Sequence, residues 1–148
     1  MRHRLLIVTA LALLPIFGTT ASAREPETVW SGLVMANTVP QPTPIPAELT
    51  GLEETLKQLF GYNQFQVIGQ ARKTLKTGGE EWSASSKYFS LHVDSKKQSS
   101  SAYLLNLQLF QEQKLLLETD ARLSKRSPLV IKGPVVGDGQ LVLLLVVE

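Results

Sequence analysis

The 148-residue chain is 43% hydrophobic and 19% charged, carries a formal charge of +2 and contains no cysteine. That length suits one ordinary domain with its own apolar core, and the missing thiols exclude disulfide bridges and thiolate metal sites. The positive excess resides in Arg2 and Arg4; without them thirteen basic residues face thirteen acidic ones, and a net-charge case for nucleic-acid binding disappears.

Residues 1–23, MRHRLLIVTALALLPIFGTTASA, have the layout of a secretory signal peptide: two arginines, an apolar stretch, then Ala21-Ser22-Ala23 as an A-x-A cleavage site. The apolar stretch is shorter than the roughly 20 residues of a spanning helix and contains Pro15, which argues against an anchor. The expected product is an exported protein, periplasmic or secreted, that does not span the membrane.

Segment 24–38 holds a predicted strand, Thr28–Ala36, with Val29, Leu33 and Met35 on one face and Trp30, Val34 and Ala36 on the other. Residues 39–47 form a proline-rich connector. Prolines 40, 42, 44 and 46 remove ladder donors at every second position and favour a stiff, extended chain.

From residue 48 the period changes. Leu49, Leu52, Leu56, Leu59 and Phe60 recur at helical spacing, which predicts one amphipathic helix. Thr50 and Glu53 have capping-box spacing, and Gly61 is a natural stop.

The remainder alternates with a period of two. QFQVIGQARKTL reads as a strand, and in EEWSASSKYFSLHVD residues Phe89, Leu91 and Val93 alternate with Ser90, His92 and Asp94. After a serine-rich loop, Tyr103, Leu105, Leu107 and Leu109 face one way, opposite Asn106 and Gln108. Helix propensity of this leucine-rich run competes with that alternation. The alternation continues through Leu115, Leu117, Thr119, Ala121 and Leu123, and predicts a hairpin turning near Glu112-Gln113. A second hairpin joins SPLVIKGPVV to QLVLLLVVE through Gly137-Asp138-Gly139.

The run Leu141–Val147 has no polar residue. Too short to cross a bilayer as a helix, it fits a strand buried on both faces, and one helix covers only one of them. The expected fold is therefore α+β: a curved, mainly antiparallel β-sheet of about six or seven strands with one amphipathic helix packed on it, residues 48–148 forming one domain with the N-terminal strand.

No reactive set stands out. His92 and Asp94 share a strand face and suggest a small hydrolase-like site, although no G-x-S-x-G turn or S-x-x-K spacing accompanies them. Glu118 and Asp120 also share a face and offer a second acid/base pair. One histidine beyond the leader and scattered carboxylates give no metal-ligand spacing, and the glycines of GPVVGDG lack a phosphate-binding lysine, so neither metal nor cofactor is expected. Basic residues cluster as Arg72-Lys73-Lys76, Lys96-Lys97 and Arg122-Lys125-Arg126; two such clusters brought together would hold an anionic polymer. Trp30, Trp82, Tyr88, Leu104 and Phe110 fall partly outside the core phase and form the candidate binding surface.

The stretches GLEETLKQLFGYNQFQVIG and GDGQLVLLLVV resemble small exported bacterial proteins of uncharacterised function, with a helix, a strand ending in Ile-Gly and a closing apolar strand. The resemblance implies a shared fold and export, and carries no catalytic residue. The expected function is a noncatalytic cell-envelope module that binds a protein or another envelope component. The alternatives are the small hydrolase using His92 and Asp94, and an anionic-polymer binder.

Overall fold

The computed structural model describes residues 26–148, so the signal-peptide assignment lies outside the described residues. The apolar run takes the position its composition demands. Strand β8 (Gly139–Val147) lies in the middle of a four-stranded antiparallel sheet, between β1 (Glu27–Asn37) and β7 (Leu129–Val136), with β2 (Gln64–Leu75) beyond β1. The predicted N-terminal strand is thus also central. A second four-stranded sheet contains β3 (Glu81–Ser85), β4 (Phe89–Gln98), β5 (Ala102–Gln111) and β6 (Lys114–Ser124), in that order.

Every ladder joins chain neighbours, except that β8 returns to β1. This is the order of an up-and-down barrel, open between β2 and β3 and between β6 and β7. At the first opening the backbones still nearly touch: a Cβ on Gly69 would stand 2.4 Å from the Ser85 carbonyl oxygen, so only glycine fits.

The expectation of one sheet with six or seven strands needs correcting to two sheets and eight strands among the described residues. EEWSASSKYFSLHVD divides into β3 and β4 around Ser86-Lys87-Tyr88, a turn without glycine or proline to announce it. The antiparallel pairing, the hairpin at Glu112-Gln113 and, among the described residues, one short helical segment are all present.

Alternation in β8 divides its side chains between two apolar layers. Leu141, Leu143 and Leu145 enter the core between the sheets with Val29, Leu33, Leu91, Leu107 and Leu109. Val142 and Leu144 enter a second layer with Trp30, Val34, Phe65, Leu49 and Leu56, beneath the helical segment. With both faces covered, burial of each such side chain contributes about 1.5–3 kcal/mol.

The helical segment begins as a 3-10 turn, Ala47–Leu52, and continues as α1, Glu53–Phe60. Gly61 ends it in the left-handed region at φ 66°, its N–H donating to the Lys57 carbonyl. The capping box does not form: Thr50 lies inside the 3-10 turn and donates its hydroxyl to the Ala47 carbonyl. Within α1, Leu56 is buried while Leu59 is 60% exposed.

The proline connector is fastened laterally. Asn63 accepts from the Val39 N–H and donates to its carbonyl, both at 2.8 Å, while Gln64 exchanges hydrogen bonds with Thr43. These amide side chains replace the ladder bonds that the prolines cannot make.

Candidate functional site

The second sheet leaves its outer face in solvent, and that face carries the polar chemistry of the fold. Strand alternation sends Trp82, Leu91, Val93, Leu105, Leu107 and Leu109 inward, and so turns Ser83, His92, Asp94, Asn106 and Gln108 outward. Cross-strand pairing then sets these residues in rows. Ser83 faces His92, which faces Gln108, which faces Glu118; the adjacent row runs Glu81, Asp94, Asn106, Asp120.

The rows are hydrogen-bonded across strands. Asn106 donates to the Asp120 carboxylate at 3.0 Å and accepts from Gln108 at 3.2 Å. The His92 Nδ1 lies 3.0 Å from the Ser83 hydroxyl, and its Nε2 lies 3.4 Å from Asp94 Oδ1 and 4.0 Å from Glu81 Oε2. Sequence reading placed His92 beside Asp94 but missed Ser83 and Glu81, which register alone supplies. The Glu118 and Asp120 pair is absorbed into the amide network with Asn106 and Gln108.

A serine, a histidine and an aspartate therefore touch in series, yet their setting differs from that of a nucleophilic serine. Ser83 is mid-strand in β3, directly opposite His92, where a hydrolase uses a sharp turn to project its nucleophile. The contacts hold the imidazole in place; the geometry provides no turn that would present Ser83 to a substrate.

At one end of this face the sheet forms an open groove of about 410 Å³, lined by Lys96, Lys97, Leu104, Leu105, Asp120, Ala121 and Arg122. A bulge in β4 between Ser95 and Lys97 places Lys97 opposite Leu104 and advances the lysine pair along the strand. Arg122 stands opposite Leu104 on the other side, in β6. A smaller hollow extends the groove past Gln98 and Ser99, and beyond it the serine-rich loop and Arg126 border another concavity. The topology thus brings Lys96 and Lys97 of one basic cluster and Arg122 of another around one exposed leucine, while Lys125 and Arg126 line the separate concavity. Lys125 is engaged: its ammonium lies 2.7 Å from Glu27 and over the Tyr103 ring.

The five aromatic and aliphatic residues suggested as a binding surface separate. Trp30 and Trp82 are buried, in the helix-side layer and in the core between the sheets respectively. Their indole N–H groups donate to Gln70 and Ser31, both at 2.9 Å. They are thus removed from any surface, because burial with a satisfied N–H is the more stable arrangement of a large indole. Tyr88 is exposed in the β3–β4 turn beneath the Lys87 ammonium, and Phe110 is half-buried near that end. Leu104, six positions before Phe110 on β5, lies about 20 Å away along the strand. Of the five, Leu104 alone belongs to the groove.

Among the described residues no helix is long and apolar enough to cross a membrane. No protein-family model, curated protein or solved structure matches the chain.

Proposed function

We propose that the chain is a noncatalytic, exported binding module of the cell envelope, and that it holds an anionic polymer in the groove beside Leu104. One observation carries the reading: Lys96, Lys97 and Arg122 surround an apolar side chain exposed to 46% of its surface. Cations spaced along a groove match a string of anionic groups, and Leu104 adds contact with the apolar backbone of a glycan or lipid-linked polymer. Asp120, the end of one acidic row, lines the groove and lies 3.9 Å from Lys96, which leaves Lys97 and Arg122 as the main anchors. The carboxylates beyond it would confine the ligand to this end of the sheet.

Dextran sulfate is a suitable probe. Its affinity should fall steeply with added sodium chloride, and Lys97→Gln and Arg122→Gln should each reduce the slope of log K against log[salt] by roughly one. Binding that is flat in salt, or unchanged by both substitutions, would refute the reading.

A further inference from the structure

We infer that Glu81, His92 and Asp94 form a binding site for a divalent transition ion, best matched by zinc, with Ser83 as its positioning residue. One oxygen or nitrogen atom from each of the three lies within 4.8 Å of the others. All three come from the rigid β3–β4 ladder, where Glu81 and Asp94 are directly paired and His92 lies two residues before Asp94 on the same face.

The orientation of the imidazole is the decisive feature. Nδ1 pairs with the Ser83 hydroxyl, which turns Nε2 towards two carboxylates; in the tautomer whose Nδ1–H donates to Ser83, the Nε2 lone pair is presented beside them. Three electron-pair donors then converge, and Asp94 Oδ1 is withdrawn from solvent without a hydrogen-bond partner. A divalent ion at the centre would accept an electron pair from each of the three.

Distance favours a metal ion over a direct hydrogen bond. Nε2 and Asp94 Oδ1 are 3.4 Å apart, beyond the usual span of roughly 2.7–3.2 Å for N–H···O. Two ligand atoms on a tetrahedral zinc, with bonds of about 2.1 Å, are separated by about 3.4 Å. Glu81, whose side chain is 70% exposed, is free to close the remaining gap from 4.0 Å. A histidine with carboxylates suits zinc better than calcium, and a ligating histidine is oriented by a hydrogen-bond partner on its distal ring nitrogen, the place the Ser83 hydroxyl takes here.

This site is separate from the groove and does not depend on it. Zinc titrated into the full chain near neutral pH should bind with a stoichiometry of one, read by calorimetry and by the shift of the His92 ring resonances. His92→Gln and Asp94→Asn should abolish binding at micromolar zinc, while Ser83→Ala should weaken it about tenfold by releasing the ring. Circular dichroism checks that each variant keeps its sheets, since the substituted side chains lie outside the core between the sheets. If wild-type protein takes up no zinc at micromolar concentration, or if His92→Gln binds as tightly as wild type, the assignment is wrong.

Discussion

Trp82 and Ser31 are joined across the core: the indole N–H of one sheet donates to the hydroxyl of the other at 2.9 Å, with both groups out of solvent. Ser31 is a polar residue on the inward face of β1, where composition alone would place an apolar one. Its presence is explained by the indole, which otherwise buries an unpaired donor.

Ser31→Ala should therefore destabilise the protein by about 1–3 kcal/mol, although it removes only an oxygen. Pairing it with Trp82→Phe, which deletes the stranded donor, should recover part of that loss. Urea unfolding of the two single variants and the double variant measures the coupling.

Leu143 faces the inter-sheet core at the centre of β8 and has no exposed surface, whereas Val135 near the end of β7 is 71% exposed. Leu143→Ala is expected to cost about 2–5 kcal/mol and Val135→Ala to stay within about 0.5 kcal/mol. Thermal melts of the pair would show whether the central strand carries the stability.

Glu80 caps the β2–β3 turn, its carboxylate accepting from the N–H groups of Lys76, Thr77 and Gly78 and from the Thr77 hydroxyl. Partial burial opposes ionisation, but these hydrogen bonds prevail and bring its pKa from 4.5 down to about 2. Because the folded value lies below the unfolded one, the carboxylate stabilises the fold at neutral pH. That contribution is lost as pH falls from about 4.5 towards about 2. Allowing for solvent screening, Glu80→Gln should lose about 1–2 kcal/mol at pH 7. The difference from wild type should vanish in acid, which a pH series of unfolding midpoints would reveal.

Leu104→Asp sets a carboxylate among Lys96, Lys97 and Arg122 without touching the core, since Leu104 points outward. Stability should change by no more than about 0.5 kcal/mol. Dextran sulfate affinity should fall at least tenfold, as measured by fluorescence anisotropy at low salt.

Much of the architecture was legible because burial leaves a periodic trace. Leu141–Val147 lacked any polar face and proved to need two covers; Tyr103 through Leu109 alternated and proved to be a strand despite helix-forming leucines. The hairpin at Gly137-Asp138 was readable because its backbone requires positive φ, and Gly137 takes it at 57°. The turn at Glu112 has the same need, at φ 54°, without the glycine that would advertise it.

Other features left no such trace. Leu115 continued the apolar phase of β6, but a bulge between Leu109 and Phe110 in the pairing turned it outward, where it is 45% exposed. Trp30 and Trp82 looked superficial because their residue type tolerates both settings; only the partners Gln70 and Ser31, distant in sequence, decide between them. The same limit hid Glu81 and Ser83 beside His92, since side-chain clusters on a sheet depend on register. Basic clusters separated along the chain likewise met only once β4, β5 and β6 were laid side by side.

The return of β8 to β1 carries a kinetic consequence. The second sheet is made wholly of consecutive hairpins, whereas the first is held together by a ladder that pairs Val29 with Val147. Contacts so remote in the chain must overcome a large loop-closure entropy before they yield any stabilisation, so refolding speed should follow the search of these two strands for each other. Joining them through a short covalent linker, with new termini opened in the Ser99–Ser101 loop, would shorten that search.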